Sequence, residues 1–240
     1  MSERFYQPGE QRAARVEDLF ALIARRYDLI NDLQSLGLHR RWKRTLVRMA
    51  GIHPGDRALD VCCGTGDVAF ALQRSGAEGV GLDFSPAMLA VARERAKDAS
   101  ATTGGPVRFV QGDALRIPFP DESFDVVTVA YGLRNLANWE GGLEEMWCVA
   151  RPGARLLVLD FGKPANRLWR GIYFGYLRFV VPCFGKICCQ DSATHAYIFD
   201  SLRSYPAQRG VAAKMEALHC RDIQVRNLVG GAMSINFGRK

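Results

Sequence analysis

The feature that most constrains the fold is a short apolar run that stops at a glycine turn: Ala58-Leu-Asp-Val61, followed by Cys62-Cys-Gly-Thr-Gly-Asp67. A run of this length, bounded by turn residues, suits a strand buried on both faces of a parallel sheet, where polar alternation is not needed. The pattern recurs. Val80-Gly-Leu-Asp83, Val107-Arg-Phe-Val110, Phe124-Asp-Val-Val-Thr-Val-Ala130 and Arg155-Leu-Leu-Val-Leu-Asp160 predict further strands. Helices are expected between them at 68–72, at 86–97 with Ser85 as N-cap, and at 140–149. His53-Pro-Gly-Asp56 and Arg151-Pro-Gly153 read as turns, and residues 99–106 as a loop. Two last strands, Ile223–Leu228 and Ala232–Phe237, flank Gly230-Gly231. Strands alternating with helices predict an α/β protein with a doubly wound, mostly parallel sheet of seven strands.

Ahead of this unit, residues 10–50 read as helical, with Val16, Leu19, Phe20 and Ile23 spaced along one face. The 240 residues are expected to form one domain, with residues 1–50 as a helical cap and 165–205 as a helical insertion that closes over the site. The chain carries a net charge of +7, so an anionic partner is conceivable; the excess is spread along the sequence and argues for none in particular. Seven cysteines, an odd number at uneven spacing, fit reduced thiols better than a disulfide framework. The N-terminal residues lack the apolar core of a secretory signal. The apolar stretch 168–189 is interrupted by Arg170, Arg178 and Lys186 before it reaches the ~18 residues a membrane span requires. A cytoplasmic protein is expected, with at most peripheral contact with the inner face of a membrane.

The glycine turn decides what class of ligand such a sheet would take. Ligands of open parallel sheets bind at the carboxyl ends of the strands, and Gly64 and Gly66 let backbone approach a ligand closely there. Gly64-x-Gly66-x-x-Ala69 imitates a dinucleotide fingerprint, a weak signal by itself. Carboxylates, however, recur at the strand ends: Asp60, Asp83 and, within Gly112-Asp-Ala114, Asp113, with Asp67 beside the turn. Each alone could be a turn or helix cap. Together they favour a cationic ligand over a pyrophosphate, and S-adenosylmethionine, with a sulfonium, an ammonium and no phosphate, meets that description. Asp83 is placed to hold ribose hydroxyls, because an ionised carboxylate only accepts. Cys62 and Cys63 then form a packed wall of the turn. A zinc site built from Cys183, Cys188, Cys189 and His195 has irregular spacing, and no metal is expected.

Three further stretches bring in a family. Tyr27-Asp-Leu-Ile-Asn31 continuing to Ser35-Leu-Gly-Leu-His-Arg-Arg-Trp42, Gly132-Leu-Arg-Asn135, and Arg151-Pro-Gly153 with Leu156-Leu-Val-Leu-Asp-Phe161 and Lys163-Pro164 resemble the ubiquinone/menaquinone biosynthesis C-methyltransferases. The resemblance extends over nearly the whole chain. It implies a class I, Rossmann-like methyltransferase fold and S-adenosylmethionine as cofactor, with S-adenosylhomocysteine as product. It also implies cofactor contacts from Thr65, Asp83, Asp113 and Ala114. Gly64, Gly66 and Phe84 are placed with them. The chain departs from the family pattern at Ile30, Cys62-Cys63, Ala130, Asp160 and Asn236.

The reaction so implied is C-methylation of a prenylated quinol, with demethylmenaquinol as the expected substrate and a benzoquinol precursor of ubiquinone as the alternative. Only the reduced ring is electron-rich enough to attack, and deprotonating a hydroxyl helps it. Arg134, just past the fourth strand, is the candidate catalytic residue, stabilising a phenolate or holding a water. Its bland alternative is a salt bridge to a nearby carboxylate. Asn135 is expected beside it, Tyr27, Asp28 and Asn31 over the cofactor, and His195 and Tyr197 along the quinol site. His39, next to Arg40 and Arg41, reads as part of a basic helix surface. The aromatic run from Trp169 to Phe184, interleaved with Arg170, Arg178 and Lys186, suits either a lid for a lipid tail or an amphipathic core helix. A nicotinamide dehydrogenase, an RNA methyltransferase and an RNA-binding module are the rival readings; no nucleic-acid partner is expected, and a homodimer is conceivable.

Overall fold

A computed structural model describes residues 27–99, 107–182 and 193–240. Two helices come first, α1 (Tyr27–Ser35) and α2 (Leu38–Ala50), joined through Leu36 and Gly37, both at positive φ. The alternating unit follows: β1 (Arg57–Val61), α3 (Asp67–Arg74), β2 (Glu78–Asp83), α4 (Pro86–Ala99), β3 (Arg108–Gln111) and β4 (Phe124–Ala130). A 3-10 turn (Leu133–Asn135) leads to α5 (Trp139–Val149) and β5 (Ala150–Phe161). Then come α6 (Arg167–Gly175), extended by a π-helical turn to Val180, α7 (Ala193–Ser204) and α8 (Ala207–Ala217). The chain ends in β6 (Arg221–Leu228) and β7 (Met233–Arg239). The part of the expected helix before residue 27, with Val16 to Ile23, lies outside the described residues, as does most of the loop at 99–106.

All seven strands form one sheet in the order β3-β2-β1-β4-β5-β7-β6, parallel except for β7, which pairs antiparallel with both its neighbours. The strand order reverses between β1 and β4, which is where an open sheet leaves a crevice for a ligand. Both sheet faces are covered, and the strand alternation divides the buried residues between them. Leu59, Val127, Leu156 and Val158 pack on the side of α5 and α8, and Ala58, Val126, Leu157 and Leu159 on the side of α2 and α3. That two-sided burial explains why the strands read as continuous apolar runs.

One expected boundary changes. Arg151-Pro-Gly153 does not precede β5 as a separate turn; it is an excursion within the strand. Phe124 pairs with Ala150, the register then shifts, and Val126 pairs with Arg155. Gly153 turns at φ 82°, while Arg151 Nη1 holds Asp125 of the neighbouring strand at 2.9 Å. Pro152 cannot donate to a ladder, so it is tolerated where pairing is interrupted. No helix among the described residues is long and apolar enough to cross a membrane.

Candidate active site

The carboxyl ends of β1, β2, β3 and β4 enclose a cavity of about 150 Å³. Gly64, Asp83, Phe84, Asp113 and Ala114, all expected from the sequence, line it together with Cys62, Met88, Tyr131 and Asn135. Thr65 and Gly66, also expected, are not among its lining residues. Thr65 is buried and its hydroxyl donates to Asp28 Oδ1 at 3.1 Å. Gly66 sits at φ 87°, with the Phe109 ring 2.8 Å from where a Cβ would stand, so glycine is required there by turn geometry and packing.

Asp83 anchors the turn. Its carboxylate accepts from the Gly64 N–H at 2.7 Å and from the Ser85 N–H at 2.9 Å. Burial pushes its ionisation above the usual carboxylate value, and these backbone donors pull part of the way back. A carboxylate has about four acceptor sites, so two backbone bonds leave capacity for hydroxyl donors. Among the described residues, two carboxylates and no lysine or arginine line the cavity. That set of acceptors fits the S-adenosylmethionine expected from the sequence and opposes a pyrophosphate.

The other two acidic residues do different work from that expected. Asp60 is buried beneath the turn, where desolvation drives its carboxyl up to about 7; Thr128 Oγ1 donates to it at 2.8 Å. It is not among the residues that line the cavity. Asp67 faces two cations, Lys43 at 2.9 Å and Arg95 at 2.6 Å. Burial raises its ionisation, but the Lys43 charge and both hydrogen bonds outweigh that and hold it well below the usual range. Its charge is thereby neutralised, so Asp67 carries no argument against a phosphate ligand; the cavity lining does. The cysteine thiols are pushed well above their ordinary value, chiefly by burial and then by the Asp83 and Asp60 charges. They are packed neutral groups, as expected of a wall, and Cys62 lies at φ 55° with its Cβ closely approaching Gly132. Among the described residues no cluster of three metal-ligating side chains occurs. Cys183, Cys188 and Cys189 fall outside them.

A second, larger cavity of about 410 Å³ opens beside the first. Its wall is largely aromatic and aliphatic: Trp42, Phe161, Trp169, Ile172, Tyr173, Tyr176 and Leu177 are part of it, with Arg134. Tyr131 lines both cavities and is held at φ 63°, a conformation that non-glycine residues adopt at a cost of order 1–3 kcal/mol. The expected Asn31 lines this second cavity, whereas Asn135 lines the first, its amide donating to the Tyr131 carbonyl at 3.1 Å. Tyr27 opens α1, and His195 and Tyr197 lie in α7; the side chains of all three are outside the described set. Arg134 is almost fully buried. Its Nη1 donates to Asp160 Oδ1 at 2.8 Å and to the Tyr131 carbonyl at 2.6 Å, and its guanidinium lies 4.4 Å from the Phe161 ring centre. The salt bridge offered as the alternative for Arg134 is thus present, and the same residue lines the second cavity.

Several residues of this wall escaped sequence reasoning. Tyr131 directly follows β4 and Phe161 closes β5, so their place at strand ends was the available signal. His39 is a correction. It is 2% exposed, part of the second cavity's wall, and not on a basic surface. The i, i+3 spacing of His39 and Trp42 along α2, both in that wall, was the signal for it.

A family model described as the ubiE/COQ5 methyltransferase family matches residues 8–240. The "Ubiquinone/menaquinone biosynthesis C-methyltransferase UbiE" of Stutzerimonas stutzeri (strain A1501) is 40% identical over 236 residues, covering 97% of this chain and 91% of the relative. A protein of the same description from Idiomarina loihiensis is 37% identical over 241 residues, with 97% and 95% covered. Among solved structures, a SAM-dependent methyltransferase from Thermotoga maritima, a possible histamine N-methyltransferase, superposes with TM-score 0.59 at 17% identity over 92% of this chain and 99% of its own. The [4+2]-cyclase SpnF reaches 0.62 at 17% identity over 97% and 96%. A cyclase on the same scaffold shows why such likeness carries the fold and not the reaction.

Proposed function

Since the chain belongs to the ubiE/COQ5 methyltransferase family, with S-adenosylmethionine as cofactor, we propose that it methylates a ring carbon of a prenylated quinol in respiratory quinone biosynthesis. The observation that carries this reading is the junction of two unlike cavities at Tyr131: one lined by carboxylates, the other by aromatic rings and Arg134. Demethylmenaquinol is the proposed acceptor, and the alternative is the benzoquinol precursor of ubiquinone.

Bound S-adenosylmethionine supplies an electrophilic methyl group. Gly64, Asp83, Phe84, Asp113 and Ala114 would hold it, with Thr65 and Gly66 shaping the turn beneath. Asp83 offers acceptors to hydroxyls, and its backbone bonds to Gly64 and Ser85 fix the carboxylate before any ligand arrives. Arg134, immobilised by Asp160 and the Tyr131 carbonyl, presents a preorganised donor to a ring oxygen that gains negative charge. Because Asp160 offsets its charge, it acts as an oriented donor more than as a net cation. Trp169, Ile172, Tyr176 and Leu177 exclude water around the ring and receive the start of the isoprenoid tail. The segment 165–205 would serve as the lid and the N-terminal helices as the cap. Leu36, Leu168, Ile172 and Phe179 leave large apolar surface exposed nearby, which supports peripheral contact with a membrane.

The test is methyl transfer from labelled S-adenosylmethionine to chemically reduced short-chain demethylmenaquinol and to the corresponding benzoquinol, kept anaerobic. Labelled C-methyl product from the naphthoquinol is expected. No transfer to either ring by folded protein that still binds S-adenosylhomocysteine would overturn the proposal.

A further inference from the structure

An arginine is always protonated at working pH, so Arg134 can stabilise a phenolate but cannot take its proton. The cavity wall holds a group that can. His39, at the start of α2, places Nε2 2.8 Å from Asp32 Oδ1 of α1. Asp32 also accepts from Arg40 Nε at 2.8 Å. The hydrogen bonds from Arg40 and His39 hold its carboxyl below the usual range, so it is ionised and can only accept. Nε2 therefore carries the ring proton. In the neutral imidazole that leaves Nδ1 as a lone-pair acceptor. Nδ1 is buried and has no hydrogen bond to any described residue, a deficit that favours an incoming O–H donor. Two buried amide donors in the same wall, Asn31 Nδ2 and Gln34 Nε2, share that lack.

We propose that His39, oriented by Asp32, is the general base of the methyl transfer. The assignment rests on the quinol reaction proposed above. The quinol O–H bond breaks, its proton passes to His39 Nδ1, and its electron pair flows through the oxygen into the ring. The ring carbon forms its bond to the methyl carbon as the carbon–sulfur bond breaks, and that electron pair returns to sulfur. The same ring carbon then releases its original proton to water, and the ring oxygen recovers the proton from His39. One proton is released overall and His39 is regenerated neutral.

The electrostatic surroundings suit a base. Burial, first, and the Lys43 charge lower the His39 ionisation below its ordinary 6.5, while the bond to Asp32 and the Asp67 charge oppose them. Arg40 lies on the same helix, and Arg134, Tyr131, Tyr173 and Tyr176 line the same cavity. The imidazole is thus neutral and able to accept at neutral pH. The rate should fall only when His39 becomes protonated, at a pH below the ordinary histidine value.

His39→Gln is the discriminating variant, because its amide can still donate to Asp32 while no base remains. It should lower kcat by about 10²–10⁴-fold and abolish the acid limb of the kcat–pH profile, with S-adenosylhomocysteine affinity near wild type. Asp32→Asn should move the acid limb to lower pH, since a group that raises the His39 ionisation is removed. A readout independent of turnover is the nitrogen resonance of His39 Nδ1. It should shift on adding naphthalene-1,4-diol under reducing conditions and stay unchanged with 1,4-dimethoxynaphthalene, which has no O–H to donate. Wild-type transfer to quinol with near-full turnover and an intact acid limb in His39→Gln overturns the base and leaves the reaction standing. An Nδ1 resonance indifferent to the diol likewise overturns it. Absence of transfer by the wild type removes the reaction and the base with it. Should His39→Gln fail to bind S-adenosylhomocysteine, the Asp32→Asn profile and the resonance decide.

Discussion

Replacing Asp160 with Ala should be among the most damaging single changes in this protein, for stability as well as for turnover. Its carboxylate accepts from Arg134 Nη1 at 2.8 Å, from the Arg134 backbone N–H at 3.1 Å and from the Phe161 N–H at 2.8 Å. Both side chains of the pair are only 3% exposed. Removing one partner of a buried pair leaves an uncompensated charge and costs about 3–5 kcal/mol. A domain of this kind has on the order of 5–15 kcal/mol in total, so the variant should remain folded at 15 °C with a markedly lower urea midpoint. Pairing Asp160→Leu with Arg134→Met removes both charges together. The double variant should be more stable than either single one, because no buried charge is stranded, yet inactive toward the quinol. Urea unfolding followed by circular dichroism measures Asp160→Ala, the two singles and the double variant, and the double-mutant cycle isolates the coupling. A loss below about 1 kcal/mol in Asp160→Ala, or a double variant whose destabilisation is the sum of the singles, would refute a dry, interdependent pair.

Asp83→Ala should weaken S-adenosylmethionine binding by about 1.5–3 kcal/mol, the scale of hydrogen bonds to a charged acceptor; calorimetry on folded protein checks it, and unchanged affinity removes Asp83 from the site. Asp60→Asn should stabilise the protein above neutral pH. The unfolded carboxyl ionises near 3.8 and the buried one near 7, so the unfolded state sheds its proton first and wild-type stability falls as pH rises through that window. The gain from Asn should grow from pH 4 to pH 7 and then level off, bounded at roughly 4 kcal/mol; a pH-independent difference in melting temperature would contradict it.

Much of the scaffold was legible in the sequence because its signals are local. Strands buried on two faces must be apolar along their length, so Phe124–Ala130 stands out without any partner in view. A turn that must reach φ 87° needs glycine, so Gly66 marks the end of β1, and Asp83 follows one strand later by simple alternation. The cofactor-side carboxylates inherit their positions from that repeat. What the sequence left undecided depends on where distant elements meet. Asp60 and Asp83 both close apolar runs and read alike, yet the sheet buries one beneath the turn and opens the other to the cavity. Asp67 looked like a ligand-facing charge until α2 and α4 delivered Lys43 and Arg95 to it. Arg134 and Asp160 are 26 residues apart and meet because β4 and β5 are neighbours. His39 looked like part of a basic surface because two arginines follow it. Only the turn between α1 and α2, through two residues at positive φ, brings its ring onto Asp32 and into the cavity wall. A side chain's environment is set by everything packed around it, and pairwise chemistry of that range is absent from any local stretch of the chain.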